Sequence, residues 1–198
     1  MIRIIALLTG MALLAACTQS SVNEPPEDLG AFKLRVNHTY AQKAKKGPVS
    51  RDATAEEWEA ALKSAMTSRL SRFDGPQEYD VAVTLEGYML APGGIPVLYS
   101  PKSTAIVNVF VYDVAQKKYL VKKEQIQVLE DTTQESFVVG SGHSRTKQEQ
   151  MDGLALKVAL RVEDIMAEGH KENGWFNLVT PPVVDPAATG TTPVPVAE

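Results

Sequence analysis

Residues 105–114 constrain this chain most, because Ile106, Val107, Val109, Phe110, Val111 and Tyr112 leave little polar surface on either side of the segment. β-Branched and aromatic side chains at that density suit a pleated strand flanked by other strands. The stretch reads as the central strand of a sheet, and the rest of the chain must supply its neighbours and a layer to cover them. Asp113 to Lys118 reads as a hairpin turn, returning through 119–129 on Val121, Ile126, Val128 and Leu129. Upstream, Tyr79, Val81, Val83 and Leu85 alternate with Asp80, Ala82, Thr84 and Glu86, the period of a half-buried strand. Phe32, Leu34 and Val36 alternate in the same way with Lys33, Arg35 and Asn37, which predicts a strand over 31–40 with those three apolar residues on its buried face. A short further strand falls around 137–139.

Two segments switch to helical spacing. Thr54-Ala55-Glu56-Glu57 fits a capping box, and Trp58, Leu62, Met66, Leu70 and Phe73 then line one stripe, with Gly75-Pro76 as the stop. Thr146-Lys147-Gln148-Glu149 repeats the signal, and Met151, Leu154, Ala155, Val158, Val162, Ile165 and Met166 form a second stripe closing near Gly169. Gly153 lies off that stripe and costs about 0.5–1 kcal/mol relative to alanine. The order β-α-β-β-β-α predicts an α+β fold. Its economical form is a two-layer sandwich, a mostly antiparallel sheet of four to five strands with two helices on one face.

The two ends of the chain read differently. Met1-Ile2-Arg3 is a short cationic start, Ile4 to Ala16 is apolar apart from Thr9 and Gly10, and Leu14-Ala15-Ala16-Cys17 follows at its end. That run is too short to span a bilayer and has the layout of an export signal. Its last four residues resemble the lipobox of bacterial lipoproteins, which implies cleavage before Cys17 and a diacylglyceryl and acyl (palmitate-type) anchor on that residue. Cys17 is the one cysteine of the chain, so no disulfide competes for it. Thr18 stands where an aspartate favours retention in the inner membrane. The resemblance therefore implies the periplasmic face of the outer membrane, with the inner membrane as the alternative. Residues 1–16 form the signal peptide, and 17–30 the lipidated cysteine and a flexible, Pro25-Pro26-bearing tether. A single domain over 31–176 follows, and then a disordered tail over 177–198 with five prolines.

In element order the domain resembles small envelope lipoproteins such as the LptE-type partner of the lipopolysaccharide translocon, and the N-terminal domain of TolB. Ser50-Arg51-Asp52-Ala53-Thr54 and Glu86-Gly87-Tyr88-Met89-Leu90-Ala91-Pro92 also resemble segments of uncharacterised envelope lipoproteins of alphaproteobacteria. That likeness implies an anchor and brings no activity with it.

Chemistry-bearing motifs are sparse. In Gly140-Ser141-Gly142-His143-Ser144, a Gly-x-Ser half-pattern is followed by Thr146 where a hydrolase elbow needs its second glycine, and Ser144 suits the start of the next helix. His38, His143 and His170 have no ligand spacing, and Gly93-Gly94 lacks a phosphate-cradle pattern, so no metal or cofactor is indicated. With 20 basic residues against 24 acidic, the chain is a poor nucleic-acid binder.

Two features point to binding instead. From 88 to 101, Met89, Leu90, Ile95, Val97, Leu98 and Tyr99 interleave with prolines and glycines, as a loop that either docks a partner or lipid or folds over the sheet as core. Lys43-Ala44-Lys45-Lys46 reads as a solvated loop or as a contact for anionic headgroups. Trp175-Phe176 closes the core against the first strand or anchors at an interface. The expected function is a non-enzymatic binding or accessory module of an envelope transport or assembly system, held to the membrane through Cys17 and serving an envelope protein partner. The alternatives are a carrier or sensor with an apolar ligand between helices and sheet, and a hydrolase at Ser141 or Ser144 with His143.

Overall fold

A computed structural model describes residues 25–92, 102–130 and 145–179. Cys17, Gly93-Gly94, Ile95, Val97, Leu98, Tyr99, the expected strand at 137–139, Ser141, His143, Ser144 and the tail beyond 179 lie outside the described residues. The elements are β1 (Phe32–Tyr40), β2 (Lys45–Lys46), α1 (Ala55–Leu70), β3 (Gln77–Met89), β4 (Thr104–Asp113), β5 (Lys118–Leu129) and α2 (Lys147–Asn173). The sheet runs β1-β3-β4-β5, and β2 also pairs with β3. The expected α+β layering is present: five strands in an open sheet, with two helices. β3, β4 and β5 are antiparallel, whereas β1 joins β3 in parallel because α1 carries the chain back to the same end.

Both helices start where their capping boxes place them. Glu57 N donates to Thr54 Oγ1 and Thr54 N to Glu57 Oε2, and Thr146 with Glu149 repeats the exchange. The two stripes fill the space over the sheet: Trp58, Leu62, Met66 and Leu70 from α1 and Met151, Leu154, Val158, Val162 and Met166 from α2 are fully buried. Beneath them, Tyr79, Val81, Val83, Val107, Val109 and Val111 are equally buried.

Four departures from the sequence expectations each have a local cause. First, β1 carries a bulge at Arg35, so that Leu34 lies opposite Tyr79 but Val36 opposite Asp80, and Val36 moves to the face away from the helices. Asn37 and Thr39 take the inner positions and donate to the Lys63 and Glu59 carbonyls of α1, both at 3.0 Å. Second, Lys45–Lys46 form a strand beside Gly87 and Tyr88 rather than a loop. The close approach needs Gly47, whose N–H donates to Tyr88 O at 2.8 Å and where a Cβ would lie 3.2 Å from the Met89 Cβ. Third, α1 ends at Leu70 with Ser71 as its cap, ahead of Gly75-Pro76, and Phe73 packs edge-on against Phe32 from beyond the helix. Fourth, α2 runs through Gly169 to Asn173 and closes on Gly174 at φ +64. Gly169 is a packing glycine, since a Cβ there would lie 2.0 Å from the Trp175 ring. Among the described residues no helix is long and apolar enough to cross a membrane.

Candidate functional site

The domain has two chemically distinct ends. At the first, the chain enters from its N-terminal segment and leaves toward its C-terminal one. Leu29 and Phe32 are buried there, Ala31 N donates to Phe176 O at 2.9 Å, and the Phe176 ring meets Phe32 at 5.2 Å and Tyr79 at 4.9 Å. Trp175-Phe176 is therefore core-closing. Burial, reinforced by the Asp113 carboxylate, pushes the Tyr79 phenol up to about 12. A cleft of about 790 Å³ opens beside this end between Glu27, Asp28, Asp164, Glu168, His170 and Lys171. Burial holds the Asp164 carboxyl above its ordinary value, against the opposing pull of Arg161.

At this same end, Glu163 ties three segments together. Its carboxylate, 1 % exposed, accepts from Arg69 Nε at 2.6 Å, from Arg72 Nη2 at 3.2 Å and from Glu27 N–H at 3.2 Å. α1, α2 and the incoming chain thus share one buried charge. Nothing in the sequence marked it, because Arg69 sits among the apolar positions of α1 and Glu163 lies 94 residues away.

The opposite end gathers the features the sequence singled out separately. Met89 is the last residue of β3 rather than a loop residue, and Leu90 and Ala91 are fully buried behind it. Ala91 N donates to Ser103 Oγ at 3.0 Å and Gln150 Nε2 to Ala91 O at 3.2 Å. Arg145 Nη1 reaches Glu130 Oε1 at 3.0 Å, Ser103 N–H reaches Glu130 Oε2 at 3.3 Å, and Arg51 Nη1 donates to Arg145 O at 3.0 Å. These bonds pin the chain where segments 93–101 and 131–144 depart and return.

Beside them, a cleft of about 470 Å³ is lined by Lys43, Lys45, Lys46, Gly47, Glu86, Gly87, Met89, Thr104, Ile106 and Gln125, with Tyr88. The lysine loop and Met89, far apart in the sequence reading, share its walls. Glu86, Thr104, Ile106 and Gln125 were missed. The available signal was Gly87, a glycine inside a strand, which marks the bulge between Leu85 and Gly87 that re-aims this part of β3. Asn108 Nδ2 donates to Glu86 Oε1 at 2.6 Å, engaging that carboxylate from below.

The sheet face away from the helices extends from this cleft. By strand register it carries Val36 and Tyr40 from β1, Ala82 from β3, Phe110 and Tyr112 from β4 and Tyr119 from β5. Tyr112 and Tyr119 pack edge-on at 5.1 Å, and Tyr119 remains half exposed. The space between helices and sheet, where the sequence reading put an apolar ligand, is filled by the core side chains named above.

Fold and surface together define a two-layer α+β domain in which, among the described residues, helices cover one sheet face and no element covers the other. No protein-family model and no curated protein sequence matches the chain. Among solved structures it is similar to a Xanthomonas campestris protein of the DUF330 family, at 9% identity and a TM-score of 0.44 over 75% of this chain and 92% of that one. It is also similar to a candidate lipoprotein of Caulobacter crescentus, at 11% identity and a TM-score of 0.35 over 67% and 88%. PelC of Paraburkholderia phytofirmans, solved as a dodecamer, is similar at 10% identity and a TM-score of 0.33 over 68% and 89%. At such identities and scores no role passes from any of them to this chain.

Proposed function

We propose that the chain is an envelope lipoprotein acting by binding rather than by reaction, anchored through Cys17 at the periplasmic face of the outer membrane and serving a protein of a transport or assembly system. The observation that carries this reading is the opposition of the two ends. The segment leading back to Cys17 joins the domain at Leu29 and Phe32, while the pinned departure points of 93–101 and 131–144 and the lysine-lined cleft lie at the far end of the strands. From Gln77 to Gly87 along β3 is ten residues, about 33 Å at the rise of a strand. The stretch from Cys17 to Leu29 adds a reach of up to about 40 Å when extended. A domain held by one end presents the other, and the sheet face beside it that no described element covers, to what lies across the compartment.

Two measurements in the native host test this. Radiolabelled palmitate enters the wild-type chain and not Cys17→Ala, and the variant leaves the membrane fraction. A photo-crosslinking residue at Gln125, on the far-end cleft, joins the chain to one discrete envelope protein, whereas the same residue at Glu172, at the tethered end, does not. Label in Cys17→Ala, or the same crosslinked product from both ends, overturns the reading.

A further inference from the structure

Residues 32–46 hold five cations, Lys33, Arg35, Lys43, Lys45 and Lys46, and no aspartate or glutamate. Three are engaged: Lys33 with Asp74, Arg35 with Asp80 and Lys46 with Asp52. Lys43 and Lys45 are exposed and have no ion-pair partner among the described residues. Both line the 470 Å³ cleft. The acidic group of that cleft, Glu86, accepts from Asn108 Nδ2 through Oε1 and keeps its charge, so with Lys46 paired to Asp52 the lining carries two lysines against one carboxylate, a net positive charge.

The rest of the lining is of another kind. Met89 and Ile106 are half-buried apolar side chains, Thr104 and Gln125 add a hydroxyl and an amide, and Gly47 and Gly87 bring backbone instead of side chains to the wall. At Gly87 a Cβ would stand 3.3 Å from Lys45 O, so any larger residue there narrows the space between β2 and β3. A cationic rim over an apolar floor, with a few polar groups to orient what enters, is the make-up of a small-molecule site, and the volume falls in the range of such sites.

We infer that this cleft binds an anionic amphiphile, a lipid-type molecule whose phosphate or carboxylate head meets Lys43 and Lys45 and whose first methylenes lie on Met89 and Ile106. A bare anion leaves the floor unused, and an uncharged hydrocarbon leaves the excess of lysine over Glu86 uncompensated. The inference is independent of the anchor, because it uses only residues of the folded domain.

The test titrates the full chain carrying Cys17→Ser with dihexanoyl phosphatidylglycerol below its micelle concentration, with glycerol phosphate, and with vesicles of phosphatidylglycerol or of phosphatidylcholine. The short-chain lipid is expected to bind at least ten-fold more tightly than glycerol phosphate, and phosphatidylcholine vesicles to bind weakest. Lys43→Gln with Lys45→Gln lowers lipid affinity about ten-fold or more at low salt. Ile106→Thr, which changes no charge and keeps a strand-forming residue, lowers it several-fold, with unchanged circular dichroism and melting in both variants. Equal affinity for glycerol phosphate and the lipid overturns the inference in favour of a phosphate site. Binding to phosphatidylglycerol vesicles that the lysine pair controls but Ile106→Thr leaves untouched reduces it to surface attraction. Binding unaffected by either variant removes it altogether. Loss of palmitate labelling at Cys17 bears on the anchor alone and leaves each of these outcomes as it stands.

Discussion

At the scale of single residues, the buried carboxylate of Glu163 and the glycines of α2 make the sharpest cases. Removing one partner of a buried ion pair leaves the other charge desolvated and alone, at a cost of about 3–5 kcal/mol. Arg69→Met is expected to fall near that figure, because Glu163 retains Arg72 at 3.2 Å but loses its 2.6 Å partner. Glu163→Met takes from Arg69 its 2.6 Å carboxylate partner in turn. The double variant is expected to be less destabilised than the sum of the two, since an apolar pair of similar volume needs no compensation. Urea unfolding of the four proteins measures the coupling, and simple additivity would show that the contact carries none. The two glycines of α2 separate conformational cost from packing. Gly153→Ala is expected to gain about 0.5–1 kcal/mol, as its Cβ meets nothing nearer than the Arg145 guanidinium at 4.0 Å. Gly169→Ala is expected to lose about 1–3 kcal/mol, because Trp175 occupies the position of the new methyl. Melting temperatures moving in the same direction for both would refute this assignment.

At the scale of elements, the helix starts are the most exposed to pH. Glu57 is held below the ordinary glutamate range by Lys147 first and by the Thr54 amide second, and Glu149 by the amide and hydroxyl of Thr146. A carboxyl depressed in the folded state contributes stability above its unfolded value and loses it as pH falls through the folded one. Unfolding midpoints should therefore decline as the solution is acidified through the carboxylate range, and Glu57→Gln should flatten that decline while lowering the plateau above it. Chemical denaturation at a series of pH values reads both. A slope unchanged by the substitution would mean that the acid sensitivity lies elsewhere. The helix starts were also the most legible elements in the sequence, because a capping box is local: four adjacent residues state it, and the stripe that follows repeats it over several turns. β1 was read less well for the converse reason. Alternation alone kept Phe32, Leu34 and Val36 on one face, and only the α1 carbonyls that Asn37 and Thr39 reach, 20 or more residues away, reveal why the strand bulges at Arg35. The far-end cleft was half legible: its lysines and Met89 stood out as composition, whereas Glu86, Thr104, Ile106 and Gln125 join them only through the pairing of β2, β3, β4 and β5.

At the scale of the whole molecule, the domain is closed by its first and last described segments. Leu29 is 2 % exposed, Ala31 donates to Phe176 O, and Val179 N–H reaches Gln77 Oε1 at 3.2 Å, so the last described residues and the first lie across the start of β3 from each other. The chain is engaged from Glu27, whose N–H reaches Glu163, and its first buried apolar side chain is Leu29, inside the stretch that the sequence assigned to a tether. This places a boundary that truncation can find. A chain beginning at Pro25 keeps Leu29 and Ala31 and should melt within a few degrees of the full-length protein. One beginning at Phe32 gives up the burial of Leu29, about 1.5–3 kcal/mol, together with the Ala31 to Phe176 bond, about 1 kcal/mol. Phe176→Ala attacks the same closure from the other side, at about 3–5 kcal/mol, since its ring packs edge-on against Phe32 and Tyr79. In the chain beginning at Phe32, Phe176→Ala should cost less than it does in the full chain, because part of what the ring holds is already gone. Equal costs in the two backgrounds would show that the two segments pack independently, and residues 25–31 would then be dispensable to the closure at Phe176.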